Sequence, residues 1–330
     1  MAAIATFNIK NVNKRLKNLL DWLSVARPEV ACLQEIKAAD AEFPVAAIEK
    51  AGYGAVWRGQ KSWNGVAILA RETKPVITHT ALPGSASDEQ CRYIEAAVNG
   101  VLIATLYAHN GNPQPGPKFT YKLEWMKRLL VHAAALCVLD APVVLAGDFN
   151  VVPTNADIYP TKSYMDNALV QPEPRALFNQ LLDQGWIDSI RALHLNEPMY
   201  TFWDYMRNRW QRDAGLRLDH LLLNPRAANR LVKSGVDREV RGLDNASDHA
   251  PAWIVLCDAP VASQKSVRNA AKRPPKKSAR AAPCVASDSA RPLLVIDGDS
   301  FAHALTMRCL KRFCCVGANL LERFWALPTC

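Results

Sequence analysis

No stretch of this chain approaches the roughly 18 consecutive apolar residues of a membrane span, so a helical membrane protein is excluded. The amino end, Met1-Ala2-Ala3-Ile4, lacks the charged and apolar regions of a secretory leader, and a cytoplasmic protein is expected. Nine cysteines, an odd number without zinc-type spacing, argue against a disulfide framework. The Gly-x-Ser-x-Gly elbow of serine hydrolases is missing. With only 15 Gly and 21 Pro in 330 residues, a low-complexity chain is ruled out as well. Acidic residues are scarce in one region. Residues 258–330 hold 12 Lys and Arg against 5 Asp and Glu, whereas residues 1–257 hold 28 against 26. The net charge of +9 therefore comes mostly from the last 73 residues. Such a segment attracts polyanions without sequence preference.

What the chain does have is short apolar runs, each closed by polar residues. Ile4–Phe7 ends in Asn8, and Val30–Gln34 in Glu35. Val101–Leu106 ends in Tyr107, and Val143–Ala146 in Gly147-Asp148. Runs this short and rich in Val, Ile and Leu predict buried strands. Further strands are predicted at Gly65–Ala70, Arg92–Val98, His220–Leu223 and Ala252–Cys257, with a hairpin turn at Asn99-Gly100. Helical periods predict helices over Val12–Ala26, Pro44–Ala51, Tyr121–Leu139 and Pro174–Gln184. Hairpins mixed with helical connections imply mixed sheets. At 49 % hydrophobic residues, the chain can bury one large α/β core.

Open sheets place chemistry at strand ends. Glu35 follows a buried strand, where a charge needs a partner, and is the expected principal metal ligand. Asn8 offers an oxygen to the metal or an amide to a phosphate. In Gly147-Asp148-Phe149-Asn150, Asp148 can orient or deprotonate water and Asn150 can hold a phosphate as charge builds on it. Ser247-Asp248-His249 adds a histidine, for which Asp219 is the candidate hydrogen-bond partner. Carboxylates and amides of this kind favour metal-assisted phosphoester cleavage.

These islands, with Trp63-Asn64-Gly65-Val66-Ala67-Ile68-Leu69, Tyr200-Thr201-Phe202-Trp203-Asp204-Tyr205 and Gly215-Leu216-Arg217-Leu218-Asp219, resemble the exonuclease III family of abasic-site endonucleases. The resemblance covers residues 1–257 in family order. It implies a four-layer α/β sandwich of two mixed sheets flanked by helices. It also implies that Glu35 binds Mg²⁺ (or Mn²⁺), with Asn8 and Asp248 near it. Asp148 would activate water and Asn150 contact the scissile phosphate. His249, paired with Asp219, would stabilise the phosphorane-like charge, and Tyr107 would assist at the phosphate. Phe202, Trp203 and Leu216 resemble the pocket for a flipped abasic sugar, and Asn110 is a further substrate contact. Arg92, Lys118, Lys122, Arg207, Arg209 and Arg212 are candidates to track the DNA backbone.

The implied activity is incision of duplex DNA 5′ to abasic sites and trimming of 3′ ends, by a monomer without a membrane partner. The alternatives are a same-fold phosphatase acting on lipid or inositol phosphates, and a non-catalytic DNA-binding protein. Two positions depart from the family pattern: Lys10 stands where Asn or Asp is usual, and His109 where Pro is. Residues 258–290 read as a basic disordered linker. Residues 291–330 open with a stretch resembling the first strand of the 5′→3′ nuclease domain of DNA polymerase I. Only one of that domain's acidic motifs is present, at Asp297 and Asp299, so a truncated remnant is expected.

Overall fold

The structure, a computed structural model, describes residues 1–258. The expected linker, save Asp258, and the polymerase-like stretch lie outside the described residues.

Among the described residues, twelve strands form two six-stranded sheets. They are β1 Ala2–Asn8, β2 Val30–Gln34, β3 Tyr53–Arg58, β4 Val66–Arg71, β5 Val76–His79, β6 Tyr93–Val98, β7 Val101–Tyr107, β8 Val143–Asp148, β9 Ile187–Asp188, β10 Asp219–Leu223, β11 Leu231–Val236 and β12 Ala252–Leu256. The first sheet runs β11-β12-β1-β2-β4-β3 and the second β5-β6-β7-β8-β10-β9. Each sheet has one parallel pair at its centre, β1–β2 and β7–β8, among antiparallel neighbours. The expected mixed sheets and four-layer sandwich are what the chain forms.

Alternation along the central strands explains the layers. Ile4, Cys32, Ile68, Ile103, Val144 and Leu221 form one buried cluster drawn from both sheets, the contact between their inner faces. On the outer face of the first sheet, Ala5, Phe7, Ala31 and Leu33 meet α1, Leu16–Ala26. The second sheet's outer face, including Tyr93, Ala104 and Leu106, meets two helices. These are α3, Pro117–Cys137, and α4, Pro172–Asp183; α2, Val45–Lys50, lies earlier in the chain. Strands buried on both faces need no polar alternation, which is why these runs look continuously apolar in sequence.

Local chemistry sets several boundaries. Leu19, Trp22 and Leu23 form the buried stripe of α1. Its end is set by Arg27 in the left-handed region (φ 44°), followed by Pro28. The predicted start at Val12 moves to Leu16, because Asn11 adopts φ 93° and its side-chain oxygen accepts from Lys14 N. α3 begins at Pro117, four residues before the predicted start, since proline suits the first helical turn. The β6–β7 hairpin turns as predicted, with Asn99 (φ 48°) and Gly100 (φ 79°) both left-handed.

Candidate active site

Parallel pairing aligns the chemistry. Asn8 pairs in register with Gln34, one residue before Glu35, and Tyr107 pairs with Asp148. Asp219 opens β10 opposite Asp148. The predicted strand-end residues thus gather at the carboxyl ends of the two parallel pairs. Backbone strain collects there as well: Lys10, Glu35, Lys37 and Asn150 all have φ near 50°. Beneath them a buried polar chain joins the sheets, with Thr6 Oγ1 donating to Gln34 Oε1 (3.1 Å) and Gln34 Nε2 to Thr105 Oγ1 (2.8 Å). Gly147 is required by packing: a Cβ would lie 2.0 Å from the Leu106 carbonyl oxygen.

Asn8 is fully buried, and its Nδ2 donates to Glu35 Oε1 (3.0 Å) and Asp148 Oδ2 (2.9 Å). Its Oδ1 accepts from Lys10 N (3.2 Å). Asn8, expected to offer an oxygen to the metal or an amide to a phosphate, lies at the site with its amide nitrogen bridging two carboxylates. The second oxygen of Glu35 meets Lys37 Nζ at 2.6 Å. Burial alone would raise the Glu35 carboxyl, but Lys37, Asn8 and His249 outweigh it and hold it at about 2. Asp248 carries its own cation, Lys10, whose Nζ also lies 4.5 Å from the Tyr205 ring centre. The Tyr107 hydroxyl is kept protonated by burial and by the Glu35 and Asp148 anions, while Arg92 covers its ring at 4.8 Å.

Asp148 Oδ1 accepts from Asn150 N at 2.8 Å. Burial, together with the Asp219 and Glu35 charges, pushes the Asp148 carboxyl up to about 7, against the opposing pull of His249. His249 Nδ1 lies 2.7 Å from Asp219 Oδ2, and its Nε2 3.8 Å from Asp148 Oδ2. Burial would lower the imidazole, but Asp219, Asp148 and Asp248 raise it to about 10. Among the described residues Asp219 Oδ1 is buried without a hydrogen-bond partner, which leaves one acceptor in the site for a ligand. Asn150 Nδ2 donates to Ala108 O (2.9 Å), and Asn110 Nδ2 reaches Asn150 Oδ1 at 3.3 Å. His109 Nδ1 accepts from Gly111 N (2.9 Å), so it braces its own turn where proline stiffness is lost.

The expected sugar pocket needs correction. Phe202 faces the site, its ring 4.9 Å from that of His249. Leu216 lies in the same apolar cluster, together with Leu218, which sequence reasoning missed. Trp203 points the other way: it is buried against Tyr200 and Trp210, and its Nε1 donates to Asp213 Oδ1 at 2.9 Å. Three expected DNA contacts are also buried. Lys122 donates to the carbonyls of Asn110, Asn150 and Ala168, and burial brings its ammonium down to about 7. Arg92 stacks on Tyr107 and Arg209 on Tyr164. Lys118, Arg207 and Arg212 are exposed. Arg217, fully buried within the Gly215–Asp219 motif, bridges Asp157 (2.6 Å) and Asp188 (2.8 Å) and fixes the segment carrying Leu216, Leu218 and Asp219. Beside Glu35 opens a cleft of about 600 Å³ lined by Lys37, Trp63, Arg92, Tyr107 and Lys118.

The donors suit a hard cation. Glu35 and Asp248 present carboxylate oxygens that already attract positive charge from Lys37 and Lys10. Asp148, Asp219 and the His249 ring nitrogens lie within 4.8 Å of one another, and the raised imidazole there serves as a cation beside the carboxylates and not as a metal ligand. Among the described residues no helix is long and apolar enough to cross a membrane.

Comparison with known proteins agrees with this fold. The model of the endonuclease/exonuclease/phosphatase family matches residues 5–249. Exodeoxyribonuclease III of Haemophilus influenzae is 30 % identical over 75 % of this chain and 97 % of its own length. The DNA repair nuclease APEX1 of Danio rerio is 32 % identical over 77 % of this chain and 81 % of its own. Among solved structures, a 3′ phosphatase from Neisseria bound to a product DNA hairpin is 36 % identical, with a TM-score of 0.74 over 78 % of this chain and all of that one. An AP endonuclease from Archaeoglobus fulgidus is 32 % identical, with a TM-score of 0.73 over 78 % of this chain and 99 % of its own. The chain belongs to the endonuclease/exonuclease/phosphatase family, in its exonuclease III branch of nucleases.

Proposed function

We propose that this protein is a Mg²⁺-dependent DNA-repair nuclease that hydrolyses the phosphodiester 5′ to abasic sites and removes nucleotides from 3′ ends of duplex DNA, acting as a monomer. The observation that carries the reading is the meeting of Asp148, His249 and Asp219 with Glu35 and Tyr107 at one edge, beside Phe202. The relatives named for DNA repair and the neighbour holding a DNA hairpin support DNA as the substrate.

Mg²⁺, held by Glu35 with Asp248 nearby, would supply neutralising charge at a phosphate oxygen. Asp148 takes the proton from the attacking water; a carboxyl raised toward neutrality is matched to that task at cellular pH. Asn8 and the Asn150 peptide N–H fix both oxygens of that carboxylate and so aim it. His249 stays cationic against Asp219 and turns Nε2 toward the charge that builds on phosphorus. Tyr107, kept protonated, donates at the phosphate as the bond to the 3′-oxygen breaks. Phe202 excludes water on the sugar side. A sugar without a base is extruded at little unstacking cost, which favours the lesion over an intact nucleotide.

The same atoms can hydrolyse a terminal 3′-phosphate, a second reading favoured by the likeness to the Neisseria 3′ phosphatase. The test is cleavage of a labelled duplex with one abasic analogue, alongside a duplex ending in 3′-phosphate, with Mg²⁺ and with EDTA. Mg²⁺-dependent incision 5′ to the lesion is expected. Release of phosphate alone would transfer the assignment to the second reading, and inactivity on both would overturn it.

A further inference from the structure

Away from the strand-end site, Glu95 of β6 is buried on the helix-facing side of the second sheet, 2 % exposed. Its Oε1 lies 2.9 Å from His79 Nδ1, and its Oε2 lies 3.0 Å from His132 Nε2. Thr78 Oγ1 donates to Oε1 (2.5 Å) and Tyr93 OH to Oε2 (2.8 Å). Those partners come from three elements: edge strand β5, strand β6 and helix α3. The convergence has a backbone cause. Successive strand residues normally point to opposite faces, yet Thr78 and His79 both reach one carboxylate. The β5–β6 register shifts between Ile77 and His79, and such an irregularity re-aims a side chain.

Charge makes the cluster more than a hydrogen-bonded knot. Burial would raise the Glu95 carboxyl, but His132, Thr78, Tyr93 and His79 together hold it at about 2, so it is an anion at any working pH. Among the described residues its ion pairs are with the two histidines, and none is with lysine or arginine. A buried anion without a lysine or arginine partner has no permanent countercharge among the described residues. Two imidazole nitrogens and a carboxylate are the donor set that suits zinc-class divalent ions, whereas Mg²⁺ prefers oxygen alone. The donor atoms lie within 4.8 Å of one another. The carboxylate draws the two imidazoles together, with His79 Nδ1 at one oxygen and His132 Nε2 at the other, so one cation would take a nitrogen from each ring and an oxygen from Glu95. Thr78 and Tyr93 already supply the outer hydrogen bonds that orient a ligating carboxylate. His79, 45 % exposed, leaves a way in from solvent.

We propose that His79, Glu95 and His132 form a binding site for a divalent transition metal of the zinc class, which clips edge strand β5 and helix α3 to β6. The site is structural and separate from the catalytic edge, whose strand-end residues come from other strands.

The test uses metal-stripped full-length protein, titrated with Zn²⁺ against a chromophoric chelator. His79→Ala and His132→Gln are measured in parallel, because the cysteines can bind zinc and only the difference in uptake counts. Wild type is expected to take up one equivalent more than either variant. Zn²⁺ should raise the Tm of wild type and leave that of His79→Ala unchanged, and Mg²⁺ should do neither. His79 is half exposed, so His79→Ala should keep its fold and its DNA cleavage. Equal uptake by wild type and a folded, active His79→Ala would overturn the site.

Discussion

Two histidine–carboxylate clusters sit on the same sheet and are built to opposite ends. At the strand end, Asp219 gives one oxygen to His249 and leaves Oδ1 buried without a partner among the described residues. In mid-sheet, Glu95 has both oxygens doubly engaged, by His79 and Thr78 on one side and by His132 and Tyr93 on the other. The first cluster therefore holds unspent hydrogen-bonding capacity next to a raised carboxyl, Asp148. The second leaves neither carboxylate oxygen orphaned and cross-links three elements. Incomplete satisfaction goes with chemistry and complete satisfaction with architecture. Substitutions in the first cluster should therefore change rate at constant stability, and those in the second should do the reverse.

The largest effect is expected from Asp148→Asn. With Asp148 as the proposed water-activating base, its loss should slow single-turnover cleavage by about 10²–10⁴-fold, with DNA binding measured by anisotropy nearly unchanged. A rate within a few-fold of wild type would remove Asp148 from its role. Asp219→Asn comes next. Asp219 raises His249, so the imidazolium survives until pH climbs through about 10. Without Asp219 the proton should leave at lower pH, and the alkaline limb of the pH–rate profile should move toward neutral. Activity near pH 9 should fall by roughly tenfold or more, and by less near pH 6. An unmoved limb would mean that another group sets it.

Glu95→Gln should act on stability alone. The folded carboxyl lies near 2 against an ordinary 4.5, so its contribution is present above about 4.5 and is lost as pH falls through 2. Urea unfolding at neutral pH should show a loss on the order of 2 kcal/mol, shrinking toward about pH 2, while turnover stays intact. A rate defect here would erase the distinction between the clusters. The smallest change is Lys10→Asn. Freed of its lysine, Asp248 should attract Mg²⁺ better, lowering the half-activating concentration a few-fold. No shift would show that Lys10 leaves the metal site untouched.

Much of the site could be read from sequence because each strand-end residue closes an apolar run that packing buries on both faces. Where the signal was weaker, the physics was less local. Strand β5 is exposed along its whole length, so it offers no apolar alternation, and β9 is two residues long. Trp203 and Phe202 are neighbours in a motif, and only the backbone decides which of them faces His249. Leu218 shares the Leu216 face because two residues apart along an extended chain is the same side. Lys122 was detectable. It falls between Phe119 and Trp125 in the buried stripe of α3, where a lysine must find internal acceptors, and it finds three carbonyls. Glu35's lysine partner is two residues away, and the pair forms across two residues in left-handed backbone, which sequence spacing does not announce.

The Thr6–Gln34–Thr105 chain has a consequence for how this enzyme could fail. Asn8 and Glu35 belong to one sheet's edge, whereas Tyr107, Asp148 and Asp219 belong to the other's. The active centre is thus a vernier that reads true only when two rigid plates are aligned, and Gln34 is the dowel between them. A Gln34→Leu protein could keep both plates and every reactive group, melt as one folded body, and still be catalytically silent through misalignment alone.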